Sequence, residues 1–198
     1  MIRLGRRALL AAFTLSAAFG AAIAADAPPA PKVKFATSEG DFVVEVYPDK
    51  APKTVENFLQ YVKDKHYDGT VFHRVIDNFM VQGGGYDTAY AEKKTRAPVV
   101  HEGREALAKG GAKNVVGTLA MARTSDPNSA SSQFFINVKD NDFLNPSTQA
   151  PGYTVFGKVA SGMDVVNKIK ALPTGAGGPF PSDVPRTPVV IKSATLVN

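Results

Sequence analysis

The chain has no cysteine and no tryptophan, and only three histidines in 198 residues. Without cysteine there can be no disulfides, no thiolate nucleophile and no cysteine-based metal site, so stability must come from a packed core. The histidines are too few and too scattered for a metal cluster. His101-Glu102 has no further ligand at metal spacing, and His66 and His101 are isolated and expected to face solvent. The triplet Gly83–Gly85 lacks the Lys-Ser/Thr that would follow it in a phosphate loop. Ser125 and Ser129 have no base placed beside them, which argues against hydrolase chemistry.

Long apolar runs are also scarce, and the one present is terminal. Arg3, Arg6 and Arg7 precede the small and apolar stretch Ala8–Ala24, which closes on Ala22-Ile23-Ala24. A basic start, an apolar middle and an A-x-A end describe a secretory signal peptide spanning residues 1–24. The competing reading is an uncleaved membrane anchor, and the Ala-rich composition favours cleavage. Of 23 basic residues against 18 acidic, three arginines and no acids precede Asp26. The chain beyond the signal therefore carries 20 against 18, and its charge gives no argument for nucleic-acid binding. An exported chain of this size without disulfides suits a bacterial periplasm, with no stable membrane association after cleavage.

Residues 25–32 are a Pro/Ala-rich tether, and residues 33–198 are long enough for one domain. Val33–Thr37 and Asp41–Tyr47 predict two strands around the hairpin signal Ser38-Glu39-Gly40. Pro52–Lys63 predicts a helix, with Val55, Phe58, Leu59 and Val62 on one stripe and Pro52 at its first position. Ala51 is a poor cap for it. The central stretch, Phe72–Gly84, reads FHRVIDNFMVQGG. Its two apolar runs, Val71–Ile76 and Phe79–Val81, flank a turn at Asp77-Asn78. Strict alternation would put Phe72, Arg74 and Ile76 on one face, and turn His73 away from Arg74 into a structural role.

Tyr86–Lys113 has no clear period and predicts a long excursion with one strand near Pro98–His101; an excursion of this length in a compact domain is often functional. Strands are expected at Val115–Ala122, Gln133–Val138, Tyr153–Ala160 and Val189–Val197, and a helix at Asp164–Leu172. Pro173–Pro188 reads as irregular. Roughly eight strands and two widely separated helices suggest an antiparallel sheet or barrel whose openings the helices cover.

FHRVIDNFMVQGG, GTLAMAR (Gly117–Arg123), SSQFFI (Ser131–Ile136) and YTVFGKV (Tyr153–Val159) stand in an order and spacing that resemble the cyclophilins, and most closely their exported bacterial branch. The resemblance spans about Val33–Val197. It implies a mainly β fold, a closed eight-stranded antiparallel barrel capped by two helices, with the active groove on the outer surface. It implies peptidyl-prolyl cis-trans isomerase activity on unfolded or flexible proline-containing polypeptides, by an enzyme monomeric in the family's manner, with no cofactor and no metal. The alternative is a non-catalytic module that binds Pro-containing segments.

Carried over residue by residue, the resemblance makes Arg74 the catalytic arginine. It places Phe79, Met80, Phe135 and Leu144 in the proline pocket and gives Gln82 to the substrate backbone. Ala122 and Gln133 become groove residues, and Arg123 offers its backbone to the peptide. Phe143 stands where many eukaryotic members have a tryptophan that donates a hydrogen bond to cyclosporin, and Tyr153 where they have a histidine. The loop Thr124–Ser129 is one residue longer than in the common eukaryotic pattern. Weak cyclosporin binding is the expectation. Phe72, Phe134 and Ile136 are expected in the core.

Overall fold

The computed structural model describes residues 29–197. The signal peptide predicted at residues 1–24 and the first part of the tether lie outside them.

Two strands, β1 (Lys32–Thr37) and β2 (Gly40–Val46), form the predicted hairpin. Helix α1 (Pro52–Lys63) follows and buries Val55, Phe58, Tyr61 and Val62. β3 (Arg74–Ile76) and β4 (Met80–Gly83) carry the central stretch. Asn78 takes a left-handed φ of 58° between them, a conformation asparagine tolerates, and the Phe79 N–H donates to the Ile76 carbonyl to close the turn. Then come a short helix α2 (Gly103–Ala108), β5 (Thr118–Met121), β6 (Phe134–Asn137), β7 (Val155–Ser161) and helix α3 (Met163–Lys170). A hairpin of β8 (Thr174–Gly177) and β9 (Phe180–Pro185) precedes the last strand, β10 (Ile191–Val197).

Eight of these strands make one antiparallel sheet in the order β10-β1-β2-β7-β5-β6-β4-β3. The expected strand number and pairing are present, but the ladder does not close. The sheet is a curled half-barrel whose edge strands β3 and β10 share no ladder. The seam between them is spanned just ahead of both strands: Val71 bridges Val190, the Phe72 N–H donates to the Val189 carbonyl, and the Ile191 N–H donates to the Thr70 carbonyl.

The concave side is filled. Phe35, Phe42, Phe58, Tyr67, Phe72, Phe134 and Phe156 form a web of ring contacts, with centroids 5.1–6.4 Å apart. Val75, Val81, Ile136 and Leu119 pair in register across four strands and point into it. With the interior occupied by side chains, a ligand must bind on the outer face.

Several local expectations change. Only Arg74–Ile76 of the Val71–Ile76 run is a strand. Phe72 precedes the regular alternation and turns into the core with Val75, on the side opposite Arg74. The Pro98–His101 segment contributes one bridge, Val99 to Ala130, and no strand. The Pro/Gly-rich stretch after α3 is largely a hairpin. His66 is buried, with its Nε2 3.2 Å from the Gly84 carbonyl and its ring against Tyr61; burial and nearby Lys93 lower its pKa. His101 is half-buried, and its Nε2 is 3.2 Å from the Gly152 carbonyl. Neither histidine faces solvent.

The weak cap at Ala51 has a remedy far along the chain, at Glu102. Ala51 gives α1 no side-chain cap. Instead the Glu102 carboxylate accepts from the Lys53 N–H at 3.1 Å, the Thr54 N–H at 2.7 Å and the Thr54 hydroxyl at 2.7 Å. This buried side chain satisfies donors that a helix start leaves open, and places negative charge at the positive end of the helix dipole. It also pins the long excursion to α1.

Candidate active site

The outer face of the sheet carries a second apolar cluster, separate from the core: Met80, Ala120, Phe135, Leu144 and Val155, with Ile76, Phe79, Ala122 and Tyr153 packed on it. Register explains it. Arg74 lies opposite Gln82, Gln82 opposite Phe135, Phe135 opposite Ala120, and Ala120 opposite Val155. Directly opposed residues project from one face, so five strands lay these side chains in a row. One residue along, the row Val75-Val81-Ile136-Leu119 points inward.

The row lies along a cleft of about 280 Å³. Every site residue named from the sequence lines it except Phe143: Arg74, Phe79, Met80, Gln82, Ala122, Arg123, Gln133, Phe135, Leu144 and Tyr153. Phe143 sits on the rim, 73% exposed, and stacks on Phe79 with centroids 5.8 Å apart. Arg74 is half-buried, its guanidinium carbon 5.9 Å from the centre of the Phe79 ring. Among the described residues no carboxylate forms an ion pair with it, so its charge is free to act on a ligand. The Gln82 Nε2 donates to the Gln133 Oε1 at 3.0 Å. Glycine at position 85 makes room for that pair, since a Cβ there would fall 2.5 Å from the Gln133 side chain.

Arg123 does more than flank the groove. Its Nε and Nη2 donate to the Gly152 carbonyl at 3.1 and 2.8 Å, and its guanidinium lies 4.5 Å from the Tyr153 ring centre. Tyr153 in turn meets Phe135 edge-on at 5.5 Å. In the longer loop, a short 3-10 turn at Pro127–Ser129 is capped by Asp126, and Ser129 bonds back to Thr124.

Beneath the apolar shelf lies a layer of buried amides that sequence reading missed. The Asn141 Nδ2 donates to the Phe79 carbonyl at 2.9 Å and to the Asn137 Oδ1 at 2.8 Å. The Asn137 Nδ2 donates to the Asn114 Oδ1 at 3.2 Å, and the Asn114 Nδ2 reaches the Leu144 carbonyl at 3.2 Å. The backbones behind Phe79 and Leu144 are thus tied together through three asparagines. No pattern marks them: Asn137 ends β6, Asn141 follows four residues later in the next loop, and Asn114 comes from a separate segment.

Three further residues line the cleft unannounced: His73, Tyr86 and Phe180. His73 was expected to turn away from Arg74, but it precedes the first residue of β3, where alternation does not yet hold. Burial pushes its imidazole down to about 4, with the Arg74 charge adding to the effect and the Val71 carbonyl opposing it. Its Nδ1 has no hydrogen-bond partner among the described residues. Phe180 lay in a stretch without periodicity, where a lone ring between Pro179 and Pro181 was the only signal.

Among the described residues no group of histidine, cysteine, aspartate and glutamate side chains could hold a metal ion, and no helix is long and apolar enough to cross a membrane.

Residues 32–196 match the family described as cyclophilin type peptidyl-prolyl cis-trans isomerase/CLD. The chain is 51% identical over 167 residues to peptidyl-prolyl cis-trans isomerase B of Escherichia coli, covering 83% of this chain and 98% of that one. It is 52% identical over 168 residues to the cyp18 isomerase of Streptomyces antibioticus, with 83% and 98% covered. A cyclophilin type isomerase of Cryptosporidium parvum superposes with a TM-score of 0.67 at 25% identity, covering 85% of this chain and 98% of its own. The same relative has been solved in the presence of the dipeptide Ala-Pro. The chain therefore belongs to the cyclophilin-type peptidyl-prolyl cis-trans isomerases, enzymes that act on proline-containing peptides.

Proposed function

We propose that this isomerase turns X-Pro bonds in folding or flexible exported proteins, with Arg74 stabilising the twisted amide over the apolar shelf. The peptide bond has partial double-bond character and a rotation barrier of about 18–20 kcal/mol. Exchange before proline takes roughly tens to hundreds of seconds unaided. Halfway through rotation, conjugation is lost and the proline nitrogen gains a localised lone pair. A cation aimed at that nitrogen attracts it chiefly in the twisted state, which lowers the barrier without any covalent step. Arginine stays charged and presents a planar fork of donors. Phe79, Met80, Phe135 and Leu144 hold the ring and exclude water, strengthening the contact. Gln82, Gln133 and the Arg123 backbone align the flanking peptide, with Ala122 leaving room beside them and Tyr153 closing the far side.

The observation that carries this reading is a half-buried cation, without an ion pair among the described residues, in register with the shelf. Exchange NMR on an X-Pro peptide, comparing the mature chain with Arg74→Ala, tests it. A module that only binds such segments would show no turnover in either protein.

Export is supported by the basic, apolar and A-x-A order of the first 24 residues. N-terminal sequencing of the protein recovered from a bacterial periplasm should begin shortly after Ala24; a chain starting at Met1 in that fraction would count against cleavage.

Cyclosporin should bind weakly, because Phe143 has no N–H to donate. Phe143→Trp on this exposed rim should tighten binding by about two- to tenfold, the worth of one hydrogen bond. Equal affinities in a fluorescence-independent titration, such as calorimetry, would refute the argument.

A further inference from the structure

The rings of the cleft fall into separate groups. Phe79 stacks with Phe143, and Phe135 with Tyr153, on and around the shelf. His73, Tyr86 and Phe180 form another: His73 stacks on Phe180 at 5.2 Å, Tyr86 meets His73 at 4.6 Å, and Tyr86 meets Phe180 edge-on at 5.0 Å. No ring contact joins this trio to the shelf rings among the described residues. What joins them is Arg74, next to His73 in sequence and lining the same cleft.

We propose that His73, Tyr86 and Phe180 form a second subsite, which takes an aromatic or large aliphatic side chain flanking the client's proline. The inference rests on the reading of the cleft given above. Tyr86 and Phe180 are only half-buried and line the cleft, so part of each ring is open to a ligand. The wall is uncharged: burial keeps the His73 imidazole neutral at ordinary pH, and burial together with Glu92 raises the Tyr86 hydroxyl. Phe180 is also held in place. It opens β9, and the Tyr90 ring packs against it at 6.3 Å. At the hairpin tip, Gly178 has a φ of 50°, and a Cβ there would lie 2.5 Å from Tyr90. Rigid rings offer contact area with little ordering loss, which is what side-chain selection requires. Because β8 and β9 form their own two-stranded sheet, Phe180 can be replaced without breaking a ladder of the eight-stranded sheet.

The test uses two series of blocked tetrapeptides, Ala-Xaa-Pro-Ala and Ala-Ala-Pro-Xaa, with Phe, Leu, Ala or Asp at the variable place. Exchange NMR gives catalytic efficiency for each. In one series the wild type should favour Phe and Leu over Ala by about three- to tenfold. Phe180→Ala should bring that ratio to about one, and Phe180→Tyr should restore it. A wild type without preference, a preference for Asp, or an unchanged ratio in Phe180→Ala overturns the subsite. So does loss of the preference in both variants, which would trace it to the hairpin's fold. Arg74→Ala is run alongside on the Ala peptides: full turnover there would bring down the reading of the catalytic centre, whereas the four outcomes just named leave that reading standing.

Discussion

Replacing Arg74 with alanine should lower kcat/KM on an X-Pro peptide by roughly two to three orders of magnitude while leaving the fold intact. Removing one preorganised donor from a polar transition-state site costs about 3–4 kcal/mol, and each 1.4 kcal/mol is about tenfold in rate. Stability should move by no more than about 0.5 kcal/mol, because among the described residues the side chain forms no ion pair whose loss would strand a buried group. Arg74→Lys should recover little. A point ammonium on a flexible stem cannot reproduce a planar fork fixed by its register opposite Gln82. Peptide binding should survive better than turnover, since the shelf is untouched. Two measurements decide the matter: single-peptide exchange rates, and urea midpoints of the same preparations. Wild-type rates in Arg74→Ala would place the catalytic cation elsewhere.

Replacing Glu102 with alanine should cost about 3 kcal/mol of stability, which for a domain of this size is a fall in Tm of roughly 10 °C. Hydrogen bonds to charged groups are worth about 1.5–3 kcal/mol each. Glu102 accepts three, two of them from backbone donors at the first turn of α1. The sum is reduced because alanine also relieves the burial of a carboxylate. Glu102→Gln should lose less, since an amide oxygen can still accept. The Glu102 side chain does not line the cleft, so activity measured well below the transition should stay near wild type. A loss below about 1 kcal/mol in urea denaturation would mean that solvent takes over the cap.

These two residues show where the sequence was legible. Arg74 stands inside a motif whose neighbours fix its face once the strand begins, and its row across β3, β4, β6 and β5 follows from period-two alternation. The α1 stripe was readable from its own period, whereas the family resemblance, not periodicity, said that Phe135 belongs to the groove and not the core. Glu102 was readable only as a deficit: Ala51 announced a missing cap, but nothing local said which side chain would supply it. Phe180, Tyr86 and the asparagine layer were silent for a related reason. Apart from the Asn137–Asn141 pair, their partners come from segments far apart in the chain, and such contacts leave no period. His73 is buried, as a structural role requires, but it lines the cleft beside Arg74 because alternation does not hold one residue before the strand. The closed barrel was expected from the family, whereas the edges here meet through an isolated bridge and its neighbouring hydrogen bonds.

The amides linking Phe79 to Leu144 do not titrate, and they bond to one another rather than to anything a client brings. The floor under the proline ring should therefore hold the same shape in acid and in alkali, before a client arrives and after it leaves. On the function proposed above, such a stiff floor reads only the shape of a ring, and any choice among clients falls to groups outside it, such as the rings of His73, Tyr86 and Phe180.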